Sequence, residues 1–374
     1  MPPLNLLIKP ASGNCNMRCR YCFYMDIAEN RHVESYGIMN LETLETLVEK
    51  SLAYATNQCS FAFEGGEPTL AGLDFFKAFT RLVDKHNKKN LQVQYSIQTN
   101  GYVINREWAD FLAKHKFLTG LSLDGVKDVH DGLRLDAGNK GTFSKVMHAA
   151  QLFNQYGVEY NILTVVTAQL VKNIGKIYGF HRKNNFLYQQ YIPCLDPIGE
   201  ERGMENYSLT PELYGEFLTA LFDLWYPDIS KGIPVSIRYF DNLVWLLRGY
   251  PPESCGMLGH CTMQNVVEAD GEVYPCDFYV LDDYKLGNLN VCGFDSINER
   301  RKEINFIEDS QQPGEACRSC KWAHICRGGC RRDRDYGGHL GNNYFCSAFK
   351  QFFEHAYPRL QQLSRTDLSK LAKV

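Results

Sequence analysis

The run Cys15-Asn16-Met17-Arg18-Cys19-Arg20-Tyr21-Cys22 puts three thiols in one short loop, with the spacing C-x3-C-x2-C. Thiolates so grouped are ligands for soft metals and for iron–sulfur clusters. A cubane 4Fe–4S cluster has four irons, so three thiolates leave one iron open. An open iron can chelate a small molecule and pass it an electron. A structural zinc site is the competing reading, but it closes with four ligands. No fourth Cys or His stands beside these three.

The composition around this loop fits a chain that binds clusters. The 374 residues are 44% hydrophobic and 22% charged, enough for a large core and a smaller second domain. The net charge is −3 and no basic run appears, so nucleic acid is not an expected partner. Met1-Pro2-Pro3-Leu4-Asn5 lacks the pattern of a signal peptide, and no apolar run reaches the roughly 18 residues of a membrane helix. A cytoplasmic protein is expected. There, fourteen cysteines point to metal or cluster binding rather than disulfides.

Downstream of the loop the sequence alternates short apolar strands with longer amphipathic helices. Strands are expected at 4–8, 59–63, 93–98, 117–123, 158–167 and 187–194. Helices are expected at 41–54, 75–90, 106–115, 142–156, 173–185 and 211–225. Six such units imply an α/β fold, a parallel sheet covered by helices on one face, short of the eight units of a closed barrel. Ligand sites of such sheets gather at the C-terminal strand ends. The cysteine loop follows the first strand, and Glu64-Gly65-Gly66-Glu67-Pro68 follows the second. Gln98-Thr99-Asn100-Gly101 follows the third and Ser122-Leu123-Asp124-Gly125 the fourth. A glycine pair at a strand end lets backbone approach a ligand closely.

The C-terminal third is rich in cysteine. Cys255 and Cys261 are followed by nine residues, Gly271, four residues and Cys276. Then come Cys317-x2-Cys320-x5-Cys326-x3-Cys330 and, further on, Cys346. Eight thiolates fill two cubanes with four ligands each; a pair of zinc ribbons is the alternative. The stretch 266–274 reads as a hairpin turning at Asp270-Gly271. Cys59 and Cys194 lie in apolar strands and read as buried thiols, and Cys292 is undecided.

The cysteine loop with Tyr21 before its last cysteine, the Gly65-Gly66-Glu67-Pro68 segment and the six units resemble the radical S-adenosylmethionine (SAM) superfamily and its open partial (β/α)6 barrel. The tail spacing resembles the SPASM extension, which binds two auxiliary clusters. The resemblance implies three 4Fe–4S clusters and SAM as cofactors. It assigns Cys15, Cys19 and Cys22 to the open cluster. One auxiliary cluster takes Cys255, Cys261, Cys276 and Cys330, the other Cys317, Cys320, Cys326 and Cys346. It places Gly65, Gly66 and Glu67 on the SAM amino group, Ser122 and Arg134 on its carboxylate and Leu195 against its adenine. The implied domains are the barrel at 1–232, a bridge with the SPASM domain at 233–348 and a C-terminal helix at 349–374.

Three further runs narrow the resemblance to the anaerobic sulfatase-maturating enzymes. They are Leu221-Phe222-Asp223-Leu224-Trp225-Tyr226, Ser236-Ile237-Arg238-Tyr239-Phe240-Asp241 and Val273-Tyr274-Pro275-Cys276-Asp277-Phe278-Tyr279. The segment 3–11 agrees as well. These enzymes oxidise a Cys or Ser of a sulfatase to Cα-formylglycine without oxygen. The implied partners are a nascent or unfolded sulfatase peptide with a Cys/Ser-x-Pro-x-Arg motif and an electron donor such as flavodoxin or ferredoxin. Asp277, beside a cluster ligand, is the implied catalytic base, with Tyr24 and Glu64 next in line. Relatives often carry Gln where this chain has Glu64, which turns hydrogen-bond donors into acceptors. Two alternatives remain. A SPASM maturase that crosslinks a ribosomally made peptide usually carries an N-terminal extension, for which a strand from Leu4 leaves no room. An inert cluster-bearing scaffold needs no open cluster.

Overall fold

In the computed structural model, which describes residues 3–336 and 339–366, the chain forms two units interleaved in sequence. One takes the chain up to Leu123, Asp131–Tyr160 and Met263–Phe306; the other takes Asp124–His130, Asn161–Thr262 and the chain from Ile307. The described residues form ten strands: β1 (Leu4–Ile8), β2 (Gln58–Phe63), β3 (Gln92–Thr99), β4 (Leu118–Ser122), β5 (Tyr160–Val166), β6 (Tyr188–Pro193), β7 (Ser236–Ile237), β8 (Asn265–Val267), β9 (Glu272–Tyr274) and β10 (Gly287–Asn288).

In the first unit β1 to β4 pair in parallel in chain order. The helices Leu41–Tyr54, Leu73–His86 and Arg106–Lys114 connect them. Asn40 and Asn105 cap two of these helices with side-chain oxygens that accept from Thr43 N and Trp108 N. The core is aromatic: Phe63 meets Phe76 and Phe79 edge-on, with ring centroids 4.9 and 4.8 Å apart.

The expected hairpin forms, with β8 and β9 antiparallel. What the sequence did not disclose is its place. β8 pairs in parallel with β1, Ile8 opposite Val267, and Lys9 N donates to Val267 O at 2.8 Å. The hairpin thus extends the barrel sheet past β1, giving the order β10-β9-β8-β1-β2-β3-β4. This pairing couples segments more than 250 residues apart, which no local pattern reports.

In the second unit β5, β6 and β7 pair in parallel. Helices Pro211–Ser230, Arg238–Leu247 and Cys346–Arg365 bury Phe222, Trp225, Phe240 and Phe352 against one another. The first runs five residues beyond the expected 225, through Pro227. The ring costs one intrahelical bond, and buried Trp225 and Ile229 on either side hold the helix together. The expected helix at 173–185 forms as one piece, and a short helix that was not expected precedes it. Thr167 caps Ala168–Val171, and Ile174–Lys183 follows after Asn173. The terminal helix expected at 349–374 starts three residues earlier and spans Cys346–Arg365, and 367–374 lie outside the described residues.

Candidate active site

After β1 the chain turns through Ser12, at φ +51°, into the cysteine loop. Four backbone bonds fix the loop. Gly66 N donates to Ser12 O at 2.9 Å and Glu67 N to Asn14 O at 2.8 Å, while Arg18 N and Arg20 N donate to Leu135 O and Leu133 O at 2.6 and 3.0 Å. The glycine pair is required here. At Gly65, with φ +112°, and at Gly66, a Cβ would fall 3.0 Å from Ser12 O and 2.1 Å from Asn14 O respectively. Met17 N and Asn100 Nδ2 donate to Cys15 Sγ at 3.3 and 3.6 Å.

Burial pushes the Cys15 thiol up to about 11, and the charge of Glu67 adds to this. Burial also raises Cys22, opposed by the N–H groups of Met25 and Tyr24 and by the charges of Arg134 and Lys9. None of the fourteen cysteines is in a disulfide. Reduced thiols beside N–H donors suit a bound cluster, whose charge would draw off their protons. Among the described residues, no three Cys, His, Asp or Glu converge closely enough for a single metal ion. Cubane ligands need no such convergence, because each sits on a different iron.

The Glu67 carboxylate is 1% exposed and occupied by the protein's own donors. Thr69 N, Thr69 Oγ1 and Thr99 Oγ1 donate to Oε1 at 3.1, 2.5 and 2.8 Å, and Asn100 N donates to Oε2 at 2.7 Å. It ties the loop after β2 to the loop after β3. Ser122, at the end of β4, accepts from Gln98 Nε2 at 3.0 Å. Arg134 is buried, its guanidinium 5.5 Å from the Tyr21 ring centre. Leu195 lies in the second unit, half-buried, just past β6.

The hairpin delivers Asp277 beside Lys9, the residue after β1. Lys9 Nζ lies 3.0 Å from Asp277 Oδ1, with 3% and 14% of the side chains exposed. The contact is an ion pair, and Oδ1 accepts no hydrogen bond. Tyr24 OH lies 2.7 Å from Asp277 Oδ2 and 3.2 Å from Glu64 Oε2, and Lys9 Nζ sits 4.3 Å over the Tyr24 ring. Burial and the two carboxylates hold the Tyr24 phenol well above its usual range. Sequence reasoning named Tyr24, Glu64 and Asp277 but passed over Lys9. A charged residue closing the apolar run of β1 was the available signal.

In the second unit, burial pushes Cys326 up to about 11, and the charges of Cys317, Cys346 and Cys320 add to the rise. Cys330 is raised by burial and, among other charges, by Cys255 and Cys261. Cys276 stands in the first unit at the end of the hairpin. Cys59 and Cys194 are buried thiols, both raised by desolvation. Cys292 is half-buried, and its carbonyl accepts from Lys50 Nζ at 2.9 Å.

The profile of the radical SAM superfamily matches residues 10–178, and that of SPASM, an iron–sulfur cluster-binding domain, matches 259–321. With the strand–helix repeats and the cysteine loop, these define a radical SAM enzyme carrying a SPASM domain. The cysteine-type anaerobic sulfatase-maturating enzyme of Clostridium perfringens (strain 13 / Type A) is 52% identical over 96% of this chain and 98% of its own. The serine-type enzyme of Bacteroides thetaiotaomicron is 30% identical over 97% and 92%. A solved structure, native anSMEcpe with bound AdoMet and Kp18Cys peptide, superposes with a TM-score of 0.93 at 50% identity, covering 97% and 99% of the two chains. The chain belongs to the anaerobic sulfatase-maturating enzymes. Its fold is the partial barrel with a SPASM domain, and its activity is oxygen-independent sulfatase maturation by radical SAM chemistry. That full-length identity replaces the crosslinking and scaffold alternatives. No helix among the described residues is long and apolar enough to cross a membrane.

Proposed function

We propose that the enzyme oxidises the cysteine of a Cys-x-Pro-x-Arg segment, in a sulfatase not yet folded, to formylglycine, and accepts serine at that position less readily. The preference is supported by 52% identity to a cysteine-type enzyme against 30% to a serine-type one. Cys15, Cys19 and Cys22 hold the cluster with the open iron. Cys255, Cys261, Cys276 and Cys330 hold a second, and Cys317, Cys320, Cys326 and Cys346 a third. The carbonyls of Gly65 and Gly66 take the amino group of SAM, Glu67 fixing their loop from within. Ser122 and Arg134 take its carboxylate, where a guanidinium fork suits two oxygens. Tyr21 backs Arg134, and Leu195 packs on the adenine. A flavodoxin or ferredoxin in the cytoplasm is the matching electron donor.

When bound, SAM and the clusters supply hydrogen abstraction from the target β-carbon and take up the remaining electron. The protein handles the proton. Asp277 receives it from the substrate thiol or hydroxyl. Tyr24 OH donates to Oδ2, which leaves Oδ1 as the accepting atom. Lys9 offsets the buried carboxylate charge and holds Oδ1 in place. Loss of one hydrogen atom, one proton and one electron is a two-electron oxidation. A cysteine product then exchanges sulfur for oxygen with water.

The observation that carries this reading is the Lys9–Asp277–Tyr24–Glu64 assembly, whose Tyr24 is two residues along the chain from Cys22. The test is anaerobic incubation of cluster-loaded enzyme with SAM, a reductant and matched peptides, read by mass spectrometry. A Cys peptide should lose about 18 Da and a Ser peptide about 2 Da, the first faster. Deoxyadenosine release with neither mass change would sink the substrate assignment.

A further inference from the structure

Arg31 and Glu268 form an ion pair sealed from water. Nη1 lies 2.8 Å from Oε1, with 2% and 1% of the side chains exposed. Neither residue has a part in the chemistry above, yet together they join the segments that carry it. Arg31 Nη2 donates to Ser12 Oγ at 3.1 Å and to Glu34 O at 2.8 Å. Ser12 Oγ also accepts from Tyr36 N at 3.2 Å. Ser12 opens the cysteine loop, and its carbonyl is the one that receives Gly66 N. Glu268 closes the β8–β9 turn. Its N donates to Glu272 O and its carbonyl accepts from Gly271 N, both at 2.9 Å.

One guanidinium therefore grips the entry to the Cys15–Cys22 loop, the chain at Glu34 and the hairpin that ends in Cys276-Asp277. Apolar side chains could fill this space at less cost, because burying two charges is expensive. What they would lack is direction. The planar fork fixes several acceptors at set angles, and neither an aliphatic contact nor a lysine reproduces it. Reacting groups misplaced by about 1 Å lose on the order of a hundredfold in rate.

We infer that the Arg31–Glu268 pair is a positioning device: it sets the hairpin bearing Asp277 in register with the loop bearing Cys15, Cys19 and Cys22, and so couples hydrogen abstraction to proton removal. The inference rests on the reading of Asp277 as the base. Its signature is uncoupling. With the pair gone, SAM is still consumed, but less of the consumption ends in formylglycine.

The test uses the cluster-loaded full chain and two variants. Arg31→Met/Glu268→Met removes both charges, leaving no buried ion without a partner. Arg31→Lys keeps the charge and loses the fork. In the apolar pair, deoxyadenosine formed per formylglycine should rise about tenfold, with iron content and melting temperature near those of the parent. Amide exchange across 265–277 should quicken by a similar factor while β2 and β3 stay protected. Arg31→Lys should fall between parent and pair in both readouts, and it decides the matter if the apolar pair does not accumulate. A parental product ratio with parental exchange in either variant overturns the inference. So does a fall in iron and melting temperature at a parental ratio, which marks a purely structural pair. If the parent itself yields deoxyadenosine but no formylglycine, the proposed function fails separately, and exchange at 265–277 still decides whether the pair holds the hairpin.

Discussion

The loop of Cys15, Cys19 and Cys22 and the tail of Cys317, Cys320, Cys326 and Cys346 gather their thiols by different means. The loop hangs on backbone-to-backbone bonds from the segments around it, at Ser12, Asn14, Arg18 and Arg20. One of those segments follows β2 and the other closes the helix Lys127–Leu133, so the loop has a frame whether or not iron is present. Three of the tail cysteines sit in or beside a three-residue turn at Glu315–Cys317 and a four-residue helix at Ala323–Cys326, and Cys346 opens the helix Cys346–Arg365. Besides backbone bonds such as Gly341 N to Arg334 O at 2.8 Å and Tyr344 N to Asp333 O at 2.9 Å, side chains stitch these pieces together. Asn343 Nδ2 donates to Gly328 O at 3.1 Å, Ala316 N donates to Asn342 Oδ1 at 3.0 Å, and buried Arg334 donates to Ser310 O and Gln312 O at 2.6 and 2.8 Å. Arg327 takes a left-handed φ of +55° to turn the chain between cysteines. Such a segment draws much of its folding free energy from the metal it encloses.

The largest effect that this contrast predicts comes from emptying each site in turn. Changing Cys15, Cys19 and Cys22 to Ala should abolish SAM cleavage and remove about four of about twelve irons, with amide protection of β1 to β3 intact. Changing Cys317 and Cys320 to Ala should also remove about four irons, but here protection should collapse across 315–346. Iron analysis with hydrogen-exchange mass spectrometry reads both. Equal protection of the tail with and without its iron would break the contrast.

A step down in size, Asp277→Asn probes the first unit alone. The variant keeps the shape beside Lys9 and an oxygen that can accept from Tyr24, and it removes the base. It should retain its iron and still cleave SAM, while formylglycine formation falls by about 10² to 10⁴, the usual range for a lost general base. Near-parental product from an iron-replete variant would pass the role to Tyr24 or Glu64.

The same contrast governs how much the sequence disclosed. Strands β1 to β6 and most of their helices were legible because their apolar periodicity is local. Cysteine spacing and the Gly65-Gly66-Glu67 segment announced a site for the same reason. The addition of β8 to β1 was hidden, because a three-residue strand gives no sign of its partner. Hidden with it were the Lys9–Asp277 contact and the Arg31–Glu268 pair, both of which that pairing creates. The glycine pair was read as room for a ligand; it also makes room for the Asn14 carbonyl. Helix Phe23–Glu29 escaped because its seven residues follow the cysteine loop directly, where spacing dominated the reading.

The smallest effect concerns the part of the second unit that has an ordinary apolar core and should stand without iron. Asp241 sits on the helix Arg238–Leu247, whose Phe240 packs on Phe222, Trp225 and Phe352, and it accepts from Ser236 Oγ at 2.6 Å. Burial pushes its carboxyl up to about 7; the Ser236 bond opposes the rise and the charge of Glu253 adds to it. Between the ordinary carboxylate value and about 7, the folded chain holds a proton that the unfolded chain has released. Stability is therefore full below that window and falls as pH rises through it. Asp241→Asn keeps an acceptor for Ser236 and removes the ionisation. Since Asp241 keeps some contact with water, the gain should be about 1 kcal/mol at pH 8 and much smaller at pH 5. Urea unfolding at the two pH values measures it, and chelated protein should show the same difference as loaded protein. A gain confined to the loaded form would tie this core to the clusters after all.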